Sequence, residues 1–190
     1  MPPPPAARAQ RLRIIGGALR GRVVRFPALP GVRPTPDRVR ETLFNWLGQD
    51  LHELATLEPY AGSGVLSLEA ISRGARLAVA IDRDRRAIDA LVDTAREFGI
   101  QGLEARSADA RAWLRSDART FDVIFLDPPF ADDPWPWLLP ACAARLAAGG
   151  YIYAEAGHEI EFPPTLALHR HARAGQVHYH LLRLHNEASP

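Results

Sequence analysis

The chain predicts an α/β fold: a mostly parallel sheet ending in an antiparallel hairpin, preceded by an N-terminal extension of β-hairpin and helix. Three observations carry that expectation. From about residue 55, apolar runs of strand length alternate with amphipathic stretches of helical length, the pattern of βαβ units on a parallel sheet. Near the end, two strand-like runs at 166–173 and 176–184 flank Ala174-Gly175, which signals a hairpin. The first 50 residues follow neither pattern and are rich in Arg, Gly and Pro.

Taken in order, residues 1–10 carry prolines and Ala but no apolar core before a cleavage site, so a disordered tail is expected and a secretory signal is not. Residues 13–15 and 22–26 read as short strands around Gly16-Gly17 and Gly21. After a proline-rich loop, Thr35 is the expected N-cap of a helix and Pro36 its first-turn residue, where a missing N–H costs nothing. Val39, Leu43, Phe44, Trp46 and Leu47 recur at helical spacing, and Gly48 ends the helix. Strands are expected at 55–58, 77–81, 103–106, 121–126 and 151–155, with helices at 65–72, 85–98, 110–115 and 135–147. The division is then a tail (1–10), a basic extension (11–50) and a main domain (51–190).

A chain of 190 residues fits one domain with a small appendage. No segment reaches the ~20 apolar residues of a membrane span. The lone Cys142 excludes an internal disulfide framework and fits a reducing cytoplasm. The net charge of +1 hides an asymmetry: residues 1–40 hold nine Arg and one acid, and the remainder holds fourteen Arg and 21 acids. A basic patch on a neutral-to-acidic body is the pattern of a nucleic-acid contact. Every basic residue is Arg; the lack of Lys reads as compositional bias, but the clustering does not.

Asp127-Pro128-Pro129-Phe130 follows the strand at 121–126, where α/β sheets bind ligands. The Asp127 carboxylate and the Pro128 carbonyl are candidate acceptors for an exocyclic amine. Pro128 and Pro129 hold these acceptors without ordering on binding. Phe130 offers a face on which a flat base can stack, worth ~1–3 kcal/mol in single-strand recognition. A base must leave its stack to enter such a pocket.

Glu58-Pro59-Tyr60-Ala61-Gly62-Ser63-Gly64 joins the first sheet strand to its helix. Gly62 and Gly64 permit a sharp turn, and the helix N-terminus beyond favours an anion. Ser67 stands where a dinucleotide fingerprint needs its third glycine, so that match fails. Asp82 ends the second strand, where doubly wound folds place a ribose-binding carboxylate. Asp109, past the third strand, is placed to meet an adenine amino group. Arg83 and Ala110 flank these acids and belong to the same expected pocket, with Glu58, Tyr60, Ala61, Ser63 and Asp127. Each acid alone would commonly be a helix cap. Together they describe an adenosine-type pocket that resembles the S-adenosylmethionine site of class I methyltransferases, within a Rossmann-like sheet.

The chain as a whole resembles the bacterial 16S rRNA (guanine-N2)-methyltransferases of the RsmD type over about residues 13–185. The matching segments are Arg13-Ile14-Ile15-Gly16-Gly17, Arg20-Gly21-Arg22, Arg33-Pro34-Thr35, Asp37 to Leu47, Ala61-Gly62-Ser63-Gly64, Ser72-Arg73-Gly74-Ala75, Asp127-Pro128-Pro129-Phe130 and Gly175-Gln176-Val177. The resemblance implies methyl transfer from S-adenosylmethionine to the N2 amine of one guanine in 16S rRNA, within the small ribosomal subunit or its assembly intermediate. It implies no membrane and no required protein partner. It also implies that the extension helps grip RNA and that Arg33-Pro34-Thr35 closes over the cofactor. Within the extension Arg13, Arg20, Arg22, Arg25, Arg33, Arg38 and Arg40, with Thr35, are the expected RNA contacts, and Arg40 has a pairing with Glu41 or Glu69 as its alternative. Glu58-Pro59-Tyr60 replaces the family's usual Asp-Leu-Phe, Asp82 stands for its usual Glu, and an Asn of the following helix is replaced near Asp93-Thr94.

Three other readings compete. An adenine-N6 methyltransferase on DNA or RNA uses a similar motif, usually with Asn where this chain has Asp127. A non-catalytic RNA-binding assembly factor would not need the intact motif. A dehydrogenase is disfavoured by Ser67. The C-terminal hairpin carries His169, His171, His178, His180 and His185, of which the first four could cluster. Without accompanying Cys they are expected to face solvent or RNA, and no metal is expected.

Overall fold

The computed structural model describes residues 10–28, 35–129 and 133–185. The expected tail, Arg33 and Phe130 lie outside the described residues, save Gln10 of the tail. The body is a seven-stranded sheet in the order β5-β4-β3-β6-β7-β9-β8. Its strands are β3 (Ala55–Glu58), β4 (Leu77–Asp82), β5 (Leu103–Ser107), β6 (Phe121–Leu126), β7 (Leu146–Ala156), β8 (Leu166–Ala174) and β9 (Val177–Leu184). The first five are parallel, and β9 runs antiparallel between β7 and β8. The order reverses between β3 and β6, which leaves a crevice at their carboxyl ends.

Strand alternation sorts the core onto two faces. Ile124, Leu126, Ile152 and Leu182 pack with Leu114 of α4 (Ala110–Ser116) and with Leu138, Leu139 and Cys142 of α5 (Trp135–Ala143). Val123, Phe125, Tyr153 and Leu181 pack on the other face with α1 (Asp37–Trp46) and α2 (Val65–Ser72). Leu91 of α3 (Arg85–Phe98) joins Leu68 and Ala80 there. Among the described residues, no helix is long and apolar enough to cross a membrane.

Three elements depart from expectation. The first strand, expected at 13–15, spans Gln10–Arg13, so Ile14 and Ile15 lie past its end. The helix expected at 135–147 stops at Ala143, and β7 begins at Leu146. Leu146 pairs with Phe121, so cross-strand bonding overrides the helical propensity of the alanines. Gly150 lets this strand pass: a Cβ there would lie 2.7 Å from the Asp122 carbonyl oxygen. At α1 the capping position is Pro36, with no side-chain cap. Thr35 turns its hydroxyl instead to Glu155.

The extension forms a two-stranded ribbon, β1 (Gln10–Arg13) with β2 (Val23–Phe26). It does not stand apart. Ile14 and Val24 are buried against Leu68 and Leu91. Gly17, at φ 72°, lies so close to α2 that a Cβ would fall 1.8 Å from the Ser72 carbonyl oxygen. Ser72 Oγ accepts from Leu19 N–H at 2.9 Å and donates to the Gly16 carbonyl at 2.5 Å.

Candidate active site

Three carboxyl groups meet at the crevice: Glu58 closing β3, Asp127 just past β6, and Glu155 near the end of β7. Register puts them side by side, since Leu57 pairs with Ile124 and Leu126 with Ala154. Glu58 and Glu155 are each 5 % exposed. Burial pushes the Glu58 carboxyl up to about 8, against the pull of its bonds from Ser67 and with help from Asp82 and Glu155. Ser67 donates to Glu58 Oε2 through its N–H at 3.0 Å and its hydroxyl at 2.5 Å. Burial also drives Asp127 well above the usual carboxylate range, and Glu155 and Glu58 push it further. Glu155 is raised by burial and held back by bonds from Tyr153 and Thr35, the Tyr153 hydroxyl lying at 2.9 Å.

The glycine loop sits beside this cluster. Gly62 and Gly64 have φ of 51° and 66°, and Gly64 begins α2 in the left-handed region that an L side chain avoids. A Cβ on Gly64 would also fall 2.6 Å from the Leu91 side chain. Asp82 anchors the loop: its Oδ2 accepts from Gly62 N–H at 2.8 Å, and its Oδ1 from Asp84 N–H at 2.8 Å. Tyr60, Ala61 and Ser63 lie within the same turn, and Ala61 N–H bonds the Ile81 carbonyl at 2.8 Å. Asp109 caps α4, accepting from Ala112 N–H at 2.8 Å, and Ala110 is the first residue of that helix. Arg83 is exposed beyond Asp82.

This donor set fits S-adenosylmethionine. Buried carboxyls suit its sulfonium and ammonium charges, the glycine turn before α2 leaves room for its carboxylate, and Asp82 suits its ribose hydroxyls.

The residues expected at the RNA face divide. Arg13, Arg20, Arg22 and Arg38 are exposed. Thr35 is buried against the acid cluster. Arg40 corrects the expectation, because its side chain is fully buried. Its Nη1 donates to Glu69 Oε1 at 2.6 Å and to the Arg13 carbonyl at 3.0 Å, its Nη2 pairs with Asp37 at 2.6 Å, and its Nε donates to the Thr35 carbonyl at 3.2 Å. A guanidinium so enclosed has nothing left for phosphate. Sequence reasoning also passed over Glu155, Tyr153 and Ser67. An acid ending a predicted strand was the available signal for Glu155, the same that marked Asp82.

A sheet of this order, with acids closing its central strands and an Asp-Pro-Pro turn beside a glycine loop, defines a class I S-adenosylmethionine-dependent methyltransferase. The family described as Conserved hypothetical protein 95 matches residues 12–183, and the chain belongs to that family, the RsmD-type rRNA methyltransferases. It is 37 % identical over 180 residues to the ribosomal RNA small subunit methyltransferase D of Escherichia coli (strain K12), covering 90 % of this chain and 89 % of that protein. Among solved structures, the E. coli methyltransferase yhhF superposes with a TM-score of 0.83 at 37 % identity, covering 92 % of this chain and 98 % of the other. The T. thermophilus 16S rRNA N2 G1207 methyltransferase (RsmC), solved with AdoMet and guanosine, shares the fold with a TM-score of 0.68 at 20 % identity, over 96 % of this chain and 51 % of its own.

The acid cluster sets a pH dependence. Folded Glu58 holds its proton up to about 8, against 4.5 for an ordinary Glu. Between those values the unfolded chain binds fewer protons, so stability falls as pH rises. Glu58→Gln removes this contribution. Its melting temperature, without cofactor, is expected to gain on the wild type from pH 6 to pH 9. Parallel melting curves across that range would show that Glu58 does not titrate there.

Proposed function

We propose that the protein methylates the exocyclic N2 amine of a specific guanine in 16S rRNA, acting in the cytoplasm on the small ribosomal subunit or its assembly intermediate, without a protein partner. The observation that carries this reading is the placement of Asp127 and Pro128 at the switch point, against Glu58 and the glycine loop.

When bound, S-adenosylmethionine supplies an electrophilic methyl on a positive sulfur. Glu58, Gly62, Gly64 and Asp82 would hold the cofactor, with Tyr60, Ala61, Ser63, Asp109 and Ala110 around it. An exocyclic guanine amine is a weak nucleophile, because its lone pair is delocalised into the ring. Asp127 and the Pro128 carbonyl accept its hydrogens and return electron density to nitrogen. The prolines hold both acceptors in place before the base arrives. Phe130 stacks on the base.

Labelled-methyl transfer to small-subunit particles lacking the modification, followed by nucleoside identification, tests this directly. N2-methylguanosine is the expected product; N6-methyladenosine would establish the adenine reading instead.

Arg13, Arg20, Arg22 and Arg38 would contact phosphate. Each such contact steepens the dependence of log affinity on log salt by about 0.7–0.9. Replacing Arg20 and Arg22 by Ala is therefore expected to weaken RNA binding and lower that slope by about 1.5. An unchanged slope would take both residues out of the interface.

A further inference from the structure

The β8–β9 hairpin gathers three imidazoles away from the acid cluster. His171 and His180 are cross-strand partners, and His178 lies two residues before His180 on the same face of β9. Ring centroids are 4.7 Å apart for His171 and His180, and 5.4 Å for His171 and His178. One nitrogen from each ring lies within 4.8 Å of the others. His171 Nε2 and His178 Nδ1 share a hydrogen bond at 3.2 Å. A tetrahedral ion with Zn–N bonds of ~2.0–2.1 Å holds its ligand nitrogens about 3.3 Å from one another. That pair already has the spacing of two ligands on one ion.

His180 supplies a second, independent observation. It is 3 % exposed, and its Nδ1 has no hydrogen-bond partner among the described residues. Leaving a buried ring nitrogen unsatisfied is costly unless something binds it.

We propose that His171, His178 and His180 form a binding site for one divalent transition-metal ion of imidazole preference, zinc foremost, with water as fourth ligand. The sequence alone groups His169 with these residues and expects all of them to stay metal-free. The structure separates His169, because the β8–β9 register shifts between Leu168 and Arg170. His169 then packs on Tyr151, at 5.3 Å between centroids. The ion would clasp the last two strands of the sheet. His180 pairs with Ala154 and Ala154 with Leu126, so two strand spacings, roughly 10 Å, separate the site from the catalytic motif. Its role is therefore structural and distinct from methyl transfer.

The test uses tag-free, chelator-treated protein titrated with Co(II), then with Zn(II) against a fluorescent chelator. Expected are one ion per chain, a ligand-field spectrum of tetrahedral cobalt displaced by zinc, and a rise in melting temperature. His171 is exposed, so His171→Gln keeps the fold while weakening zinc binding at least about tenfold. His169→Gln leaves binding unchanged. Absence of saturable uptake in the wild type, or uptake unaltered by His171→Gln, would overturn the proposal.

Discussion

Asp127→Ala is expected to lower the single-turnover rate of methyl transfer by about 10²–10⁴-fold while the protein still binds S-adenosylmethionine. The two halves of that expectation have separate causes. The proposed cofactor contacts are spread over Glu58, the glycine loop and Asp82, and the loop is anchored by Asp82 rather than by Asp127. The amine, by contrast, would meet its proposed acceptors at one turn. Removing the carboxylate leaves only the Pro128 carbonyl to take a hydrogen, and the amine keeps its lone pair in the ring. Asp127 also stands well above the usual carboxylate range, through burial and then through Glu155 and Glu58. Its ionised form accepts best, so the wild-type single-turnover rate should rise with pH as Asp127 loses its proton. Asp127→Asn keeps a carbonyl acceptor without the charge, and should retain part of the rate while flattening that pH profile. Calorimetry for the cofactor and rapid quench with labelled methyl separate binding from chemistry. Wild-type turnover in Asp127→Ala would remove Asp127 from the reaction.

Much of this site is legible in the sequence because strand ends are. Helices α2 and α3 and strands β3 and β6 fall where periodicity puts them, and the acids and glycines that follow them land at the sheet's carboxyl edge. What is not legible depends on pairings distant in sequence. The sequence offers Glu69 only as an alternative partner for Arg40; that Glu69 and the Arg13 carbonyl enclose it together depends on β1, α1 and α2 packing. Ser67 reads as a missing glycine; the structure makes it the hydroxyl that holds Glu58. Leu146 reads as helix until Phe121 is known to lie beside it. The one-residue shift at His169 breaks the two-residue rule that would have aligned four imidazoles.

Glu69→Ala is expected to cost about 3–5 kcal/mol of stability, or ~10 °C in melting temperature, though it lies outside the acid cluster. Glu69 is fully buried and is the hub between extension and body. Its Oε1 accepts from Ile15 N–H at 2.7 Å and pairs with Arg40 at 2.6 Å, while its Oε2 accepts from Gly16 N–H at 3.3 Å and faces Arg73 Nε at 3.5 Å. Burial raises the Glu69 carboxyl in spite of these partners, so enclosing the charge opposes what pairing gains. The large effect arises when one partner is lost, because Arg40 then remains buried with its buried counter-ion missing and only the exposed Asp37 left to it, and two backbone N–H groups lose their acceptor. Glu69→Gln retains an acceptor for the N–H groups and should lose less than Glu69→Ala. The damage should also travel. Arg40 holds the Thr35 carbonyl, and the Thr35 hydroxyl bonds Glu155 beside Asp127. Loosening this chain should free residues 10–28 from α2 and let the backbone after Arg20, Arg22 and Arg25, whose side chains are already exposed, enter trypsin at temperatures where the body is still folded. A variant that melts like the wild type and resists trypsin equally would show that the ribbon is held by Ile14 and Val24 in the core, and that the buried ion pair is incidental to it.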